Sequence, residues 1–500
     1  MSVNTAPLSN TLAAQTYFGA VPLPPRAARG WSLFLGALFL FFCSAIASKL
    51  LMDPDTQWHV EVGRVIWSTG QFPRQDTMSH TFYGSPWIAK EWLAQLALYA
   101  SQQLGGWPLV AALASLCAVS AFVIVAMHLM RVSGPFMAML ICFIAFSFLQ
   151  ITLLARPHIL ALPLLALWTL MLVRALDGDR RPPWLALPIM VLWSNLHAGY
   201  TIGFIIAGAL AMDAIINTQK PERLKQLGLW VLFGVLSVLA SCINPYGLDV
   251  IILNVQMLVQ NNHEGVRYVS EWESQPFGLR YSLIVAYTLF MVAALAQKWR
   301  ENLFRILVVL FVSYTCLKHQ RFAMLLAVVS PLVAGHAMVD LLQNIFARLK
   351  LFQDADPLRR STFWNPLIGT CFAAMVLVVS QNPVTLEGFS SPTKAFASVP
   401  DTVRAGKVYN SYIYGGFLII NHVPTFIDGR SDQLFLGGFF KRYVTTRMEQ
   451  NDAEFRKFID QYGVTWALIM ADSKEAMIFA RLADWQETYT DDSAKVFVRK

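Results

Sequence analysis

Two aspartates separated by one proline are the first residues of the chain that could do chemistry. Asp53-Pro54-Asp55 follows a long apolar stretch, and Pro54 biases Asp53 towards an extended conformation. Carboxylates placed this closely could act in general-base catalysis or hold a divalent cation. Asp55 could instead cap a helix that begins near Gln57, a position where aspartate is common. The spacing alone leaves these alternatives open.

Three cations, Arg156, Lys318 and Arg321, lie in short turns between long apolar stretches. A charge inside a membrane span costs roughly 2.5 to 3.5 kcal/mol, so their recurrence predicts an anionic ligand. Snorkelling to lipid headgroups, or an ion pair with Asp53 or Glu91, would also explain each cation taken singly.

The same loops and turns contain further polar candidates for substrate binding. These are Asp76, Lys90, Glu91, His158, Asn195 and His197. No two histidines show the i, i+4 spacing of a zinc-protease helix, and the six cysteines are too far apart for a metal or disulfide framework. A metal, if one binds, is therefore expected as a divalent cation on Asp53 and Asp55.

The composition sets the class of protein that must position these residues. Of 500 residues, 56% are hydrophobic and 14% are charged, with a mean hydropathy of +0.47, whereas soluble domains carry about 25% charged residues. This pattern excludes a cytosolic enzyme, a disordered scaffold and a small secreted disulfide module. The net charge of +8 is attributed to cytoplasmic loops and not to nucleic-acid binding.

The fold class predicted is a polytopic α-helical membrane protein with about eleven spans. Apolar runs long enough to cross a bilayer fall near 31–51, 107–130, 135–154, 157–176, 183–196, 199–216, 226–243, 281–298, 302–317, 321–342 and 363–380. Lys and Arg cluster in alternate loops, including residues 220–225 and 348–360, which predicts that those loops and the tail 1–30 are cytoplasmic. A cleaved signal peptide ending near Ala47 is the alternative for the first span.

With this orientation, every candidate residue named above falls on the outer side of the membrane. The transmembrane domain is predicted over residues 31–380, with a large outer loop at 52–106 that contains an amphipathic helix from Lys90 to Leu104. Residues 381–500 have balanced charge and predict a small extracytoplasmic α/β domain. Within it we expect a helix at 452–462 and strands at 407–409, 417–420, 425–427, 466–470 and 496–498.

The first outer loop resembles that of the GT-C superfamily of membrane glycosyltransferases. The similarity lies in Pro54-Asp55 after the first span, the amphipathic stretch 58–69, and Lys90. It is greatest to the branch of protein mannosyltransferases and the aminoarabinose transferase of lipid A. The resemblance implies that Asp55 is the catalytic carboxylate, that Lys90 lies near the donor phosphate, and that the donor is a sugar on a polyprenyl phosphate.

Two positions depart from the family pattern, so the resemblance does not fix the substrate class. Thr56 stands where a second acidic residue is usual, and Glu91 stands where proline is common. The tail, with the segment from Gly406 to Tyr412, Gly415-Gly416 and Asp428-Gly429-Arg430, resembles the tails of bacterial members whose acceptors are unidentified.

The sequence therefore predicts an inner-membrane glycosyltransferase that moves a sugar from a polyprenyl phosphate to a lipid, glycan or protein hydroxyl at the outer face. Asp55 is expected to be the base, with Asp53 in support, and the cations are expected to bind phosphate. The alternatives are a transporter or flippase of an anionic lipid-linked glycan, and an outer-face glycan polymerase or ligase. The sugar, the acceptor and the oligomeric state are not encoded in any motif we can identify.

Overall fold

The computed structural model describes residues 24–259, 273–348, 363–386 and 390–500. Residues 260–272 lie outside these ranges, as do the predicted cytoplasmic tail up to residue 23 and residues 349–360 of the predicted cytoplasmic loop. The helices, strands and contacts of the fold are those of the described residues.

Helices occupy each of the eleven positions predicted as spans. The helices up to the C-terminal domain are α1 Pro25–Ala45, α2 Ala47–Leu50, α3 Pro54–Thr69, α4 Trp92–Leu129, α5 Pro135–Leu149, α6 Pro157–Leu160, α7 Leu162–Asp177, α8 Leu187–Leu196, α9 Tyr200–Ile216, α10 Arg223–Ser241, α11 Asp249–Val259, α12 Leu279–Ala296, α13 Trp299–Lys318, α14 Ala323–Arg348 and α15 Trp364–Gln381. Within the described ranges, seven helical segments are long and apolar enough to cross a membrane, and three shorter apolar helices accompany them. The number of spans and their direction remain predictions.

Helix α14 lies at the centre of the helical region. Every residue from Ala323 to Gly335 of α14 is buried. Around it, α1 packs against α4 and α15, and the ring of Phe39 on α1 stacks on Phe146 of α5 with 4.1 Å between ring centroids. A helix that is apolar on all sides needs neighbours on all sides, and α14 has them.

The first outer loop consists of one helix, an irregular segment and the start of another helix. Helix α3 lies against α4 so closely that a Cβ on Gly63 would be 2.1 Å from the carbonyl oxygen of Gln95. The predicted amphipathic helix is present, but it begins at Trp92 and is separated from the span after it by non-helical Gly105 and Gly106. Gly106 has a φ of +65°, which favours glycine.

The C-terminal domain is a four-stranded sheet with short helices. The helices are α16 Thr393–Ala397, α17 Asp401–Arg404, α18 Gly415–Ile420, α19 Phe439–Met448, α20 Asp452–Gln461 and α21 Lys474–Arg481, and the strands are β1 Val408–Asn410, β2 Trp466–Met470, β3 Trp485–Thr490 and β4 Ala494–Arg499. The strand order is β1-β2-β4-β3, with β1 parallel to β2 and the other pairs antiparallel. Val408 pairs with Trp466, and Leu468 pairs with Val496.

Three of the five predicted strands are present, and two predictions are wrong. Residues 417–420 belong to helix α18, because a short apolar run does not distinguish a strand from a buried helical turn. Residues 425–427 form no named strand, and Thr425 makes a single parallel bridge to Ser79 of the first outer loop.

That bridge is part of a tight contact between the C-terminal domain and the first outer loop. The guanidinium of Arg430 is fully buried and pairs with Asp428 at 2.8 Å and with Asp76 at 2.5 Å. The side chain of Gln433 hydrogen-bonds both the N–H and the carbonyl of Ile88, each at 3.1 Å. A buried charge without its partners would be costly, so these contacts hold the domain in one position over the loop.

Candidate active site

Helix α3 places the two aspartates of the first outer loop. It begins at Pro54, and the Asp53 carboxylate caps it by accepting the N–H of Asp55 at 2.9 Å. The alternative in which Asp55 caps a helix starting near Gln57 is therefore wrong, because the helix starts at Pro54 and proline is well suited to the first helical position. Asp55 instead lies in the first turn, where its Oδ1 accepts the indole N–H of Trp58 at 3.0 Å.

Arg156 forms ion pairs with both aspartates from a different turn of the chain. It precedes Pro157 in an extended conformation, and its guanidinium forms a two-pronged ion pair with the fully buried Asp53 carboxylate. Its Nη1 lies 3.3 Å from Oδ2 of Asp55. A planar guanidinium suits this bidentate geometry, and the ion pair offsets the cost of burying Asp53.

The arrangement does not fit a divalent cation on Asp53 and Asp55. The two Asp53 oxygens already face Arg156, and both Asp55 oxygens face either Arg156 or Trp58. In the part of the chain that the structure describes, His, Cys, Asp and Glu form no group of three or more suited to a metal. A cation would have to displace the guanidinium, so no catalytic step is assigned to a metal here.

Lys90 meets the C-terminal domain at the same place. Its ammonium pairs with the Asp432 carboxylate, and the neighbouring Gly429 passes directly over Asp55. A Cβ on Gly429 would lie 1.8 Å from Oδ1 of Asp55, so only glycine allows this approach. The first outer loop and the C-terminal domain therefore build one site together.

Glu91 lies between two histidines. Its Oε1 is 3.6 Å from Nε2 of His197, and its Oε2 is 4.0 Å from Nε2 of His59. Burial raises the pKa of Glu91 to about 7, an effect opposed by Lys90, Arg321 and Arg156 and reinforced by Asp432.

The two histidines are held neutral by their surroundings. Burial, followed by the charge of Arg156, lowers the pKa of His59 well below its ordinary value of 6.5. Burial, followed by His158, does the same for the pKa of His197. Glu91 therefore faces two neutral imidazoles rather than two cations.

These groups line one cavity of about 770 Å³. Its wall includes most of the residues predicted from the sequence, namely Asp53, Asp55, Lys90, Glu91, Arg156, His158, His197, Lys318 and Arg321. Lys318 ends α13 with its ammonium 5.9 Å from the centre of the Tyr314 ring, and Arg321 lies in the next turn, the 3-10 segment Gln320–Phe322. The ring of His158 donates from Nε2 to the Thr152 carbonyl, 2.8 Å away.

Two predicted substrate-binding residues are placed elsewhere among the described residues. Asp76 is buried under Arg430 and holds the C-terminal domain. Asn195 accepts the indole N–H of Trp92 at 2.6 Å and donates to the carbonyls of Val191 and Ile243. Neither lines the cavity.

The C-terminal domain contributes cavity residues that the sequence did not indicate. Asp432, Tyr412 and Arg447 line the cavity, and Arg447 pairs with the buried Glu475 at 3.1 Å. The motif Asp428-Gly429-Arg430 was visible in the sequence, but it did not predict that Gly429 contacts Asp55. Sequence spacing carries no information on a contact between residues more than 300 positions apart.

The fold resembles that of solved oligosaccharyltransferase structures from Archaeoglobus fulgidus. One, tethered to an acceptor peptide, has a TM-score of 0.50 at 12% identity, covering 93% of this chain and 74% of that chain. The apo form gives 0.51 at 12%, covering 87% and 70%, and a complex with zinc and sulfate gives 0.51 at 13%, covering 92% and 73%. No family model and no curated protein matches the sequence. The likeness is one of fold.

Proposed function

We propose that this chain is a membrane glycosyltransferase that moves a sugar from a polyprenyl phosphate to an acceptor hydroxyl group. The observation that carries the proposal is the cavity itself. Arg156 is more than 160 positions away from Lys318 and Arg321 in the sequence, yet all three line one cavity together with Lys90 and Glu91. Cations gathered beside carboxylates suit a reaction in which an anionic phosphate leaves while a proton is removed.

The cations have a clear role in such a reaction. When the bond between the sugar and the phosphate breaks, negative charge grows on the departing lipid phosphate, and cations already in place stabilise it without reorganisation. Arg156 is held by Asp53 and Asp55, so it is fixed before the substrate arrives. Lys318 and Arg321 line the same cavity from the end of α13 and the turn after it.

The expected orientation puts this cavity at the outer face of the cytoplasmic membrane. The support is the distribution of Lys and Arg among the loops, because basic loops stay in the cytoplasm. Reporter fusions should therefore place Lys225 inside, and the end of the C-terminal domain outside. A cytoplasmic C-terminal reporter would contradict this orientation.

The decisive experiment measures donor binding and donor cleavage on the same purified protein in lipid nanodiscs. Undecaprenyl phosphate is the binding probe, and a panel of radiolabelled undecaprenyl-phosphate sugars with a bacterial membrane extract as acceptor source is the cleavage probe. We expect binding, together with release of undecaprenyl phosphate from at least one donor. In proteoliposomes, transbilayer movement of the probe without cleavage would instead favour a flippase, and use of only diphosphate-linked glycans would favour a polymerase or ligase.

The variant Arg321→Ala tests whether the cavity binds the phosphate of the donor. Hydrogen bonds to charged groups contribute about 1.5 to 3 kcal/mol, so the variant should bind undecaprenyl phosphate roughly 10- to 100-fold more weakly. Arg321→Lys should recover part of this, because lysine keeps the charge but not the fork. Arg300→Ala, at an exposed residue of α13, is the control and should bind normally. Lost stability at unchanged affinity would remove Arg321 from the phosphate site.

A further inference from the structure

Glu91 is a largely buried carboxylate that nevertheless lines the cavity. It is the residue immediately before α4, its side chain is 13% exposed, and it lines the cavity. It therefore stands at the boundary between the cavity and the packed interior, where a substrate hydroxyl could reach it. This is the position a proton acceptor needs.

The orientation of His197 follows from the backbone. The N–H of Gly199 donates to Nδ1 of His197 at 3.0 Å, so Nδ1 of the neutral ring is an acceptor and the proton must be on Nε2. That Nε2 faces Oε1 of Glu91 at 3.6 Å. The turn between α8 and α9 thus aims an N–H group at one oxygen of the carboxylate.

His59 presents the same arrangement from helix α3. The side-chain amide of Gln95 donates to Nδ1 of His59 at 3.2 Å, which leaves the proton on Nε2. That atom faces the other oxygen of Glu91 at 4.0 Å. These separations exceed a direct hydrogen bond, but catalytic contacts are often long before substrate binds. Each carboxylate oxygen of Glu91 thus has one imidazole N–H directed towards it.

Asp55 differs from Glu91 in what its oxygens face. Oδ1 accepts the Trp58 indole N–H, and Oδ2 faces the Arg156 guanidinium. A carboxylate beside a permanent cation holds a proton poorly, because the cation favours the charged form. Asp55 is well suited to holding Arg156 in place and poorly suited to taking a proton.

We propose that Glu91 is the general base of the sugar transfer, with His59 and His197 as positioning residues; this rests on the proposed function. The acceptor oxygen forms a bond to the anomeric carbon while the bond from that carbon to the phosphate oxygen breaks. The electron pair of the broken bond leaves with the lipid phosphate, and the acceptor's proton moves to the Glu91 carboxylate. No further reactant is needed.

The charges around Glu91 match this assignment. His59 and His197 face it from α3 and from the turn after α8, and the charged neighbours that act on it are Lys90, Asp432, Arg321 and Arg156. Burial outweighs the three cations, so its pKa rises to about 7. A base with a pKa near the working pH is about half ionised at that pH and still has a strong affinity for a proton.

Glu91→Gln is the direct test, because the amide keeps the size of the side chain but cannot accept the proton. We expect turnover of the labelled undecaprenyl-phosphate sugar to fall at least about 100-fold, with the affinity for undecaprenyl phosphate unchanged within about twofold. Glu91→Asp should recover part of the rate. Glu301→Gln, exposed at the opposite end of α13 from Lys318, is the control and should turn over normally.

The pH profile separates a base from a merely structural residue. A phosphodiester donor has no group that titrates near neutrality, so kcat/KM of the wild type should rise with pH through an inflection near 7, as Glu91 ionises. Asp55→Asn should be slower but keep this inflection, whereas Glu91→Gln should lose it.

The outcomes also separate this assignment from the proposed function. If Glu91→Gln turns over near the wild-type rate, or if the inflection survives in it and disappears in Asp55→Asn, Glu91 is not the base while the glycosyltransferase stands. If the wild type neither binds undecaprenyl phosphate nor cleaves any donor, the proposed function fails, and the base assignment fails with it.

Discussion

The cavity contains two carboxylate sites, which differ in the groups that face the carboxylates. Asp53 and Asp55 are compensated by a permanent cation, Arg156. Glu91 instead faces two neutral imidazoles, those of His59 and His197. Both sites are largely buried, and both lie on the first outer loop or next to it.

The difference shows what a neighbour does to a carboxylate. The guanidinium of Arg156 forms ion pairs with both carboxylates, so the aspartate pair provides a rigid support for Arg156. The imidazoles that face Glu91 carry no charge, and burial outweighs the cations that act on it, so its pKa rises to about 7. The aspartate pair is suited to holding Arg156 in place, and Glu91 is suited to accepting a proton.

Removing Arg156 should give the largest effect on stability. Arg156→Ala leaves the fully buried Asp53 carboxylate without its cation, and breaking a buried pair on one side typically costs about 3 to 5 kcal/mol. Thermal unfolding in nanodiscs should show a large decrease in the midpoint. Adding Asp53→Asn to this variant should recover part of the loss. If Arg156→Ala were as stable as the wild type, the pair would not be the support described here.

Glu91→Gln should change stability in a way that depends on pH. The folded-state pKa of Glu91 is raised from 4.5 to about 7, so the folded protein binds a proton more tightly than the unfolded chain. Its contribution is present below pH 4.5 and is lost as the pH rises to about 7, an effect of up to about 3 kcal/mol. The variant should therefore gain stability relative to the wild type as the pH rises through this window.

The histidines make this comparison more specific. His59 and His197 have pKa values lowered from 6.5, so they contribute stability above pH 6.5 that is lost as the pH falls. Wild type and Glu91→Gln share these histidines, so the difference between the two unfolding curves isolates Glu91. A pH-independent difference would contradict the raised pKa.

Chelation should have the smallest effect. Because Arg156 faces the oxygens that a cation would need, we expect donor turnover in EDTA to equal that in added Mg²⁺ or Mn²⁺ within about twofold. The Arg156→Ala variant sharpens this test, since it frees the two carboxylates. Metal-dependent turnover of the wild type would show that Arg156 moves away during the reaction.

The sequence predicted the helical architecture well and the site in part. Membrane helices are encoded by length and apolar composition, so all eleven positions contain helix. Charges in apolar surroundings are costly wherever they occur, and this cost alone pointed to Arg156, Lys318 and Arg321. It could not distinguish Asp76, which lies in the first outer loop but pairs with Arg430.

The C-terminal domain was harder to predict because its contribution depends on long-range contacts. Gly429 contacts Asp55, and Asp432 pairs with Lys90, yet no local pattern connects positions so far apart. The short apolar run 417–420 was assigned to a strand, although packing against α3 favours helix α18 there. Tertiary contacts decided both cases.

The contribution of Gly429 and Asp432 to the cavity also has a consequence for biosynthesis. A polypeptide is made from its N-terminus, so the membrane helices and the first outer loop exist before the C-terminal domain has been translated. Until Gly429 covers Asp55 and Asp432 meets Lys90, the cavity lacks one wall. The complete cavity therefore requires translation at least as far as Asp432, and a shorter fragment would lack this wall.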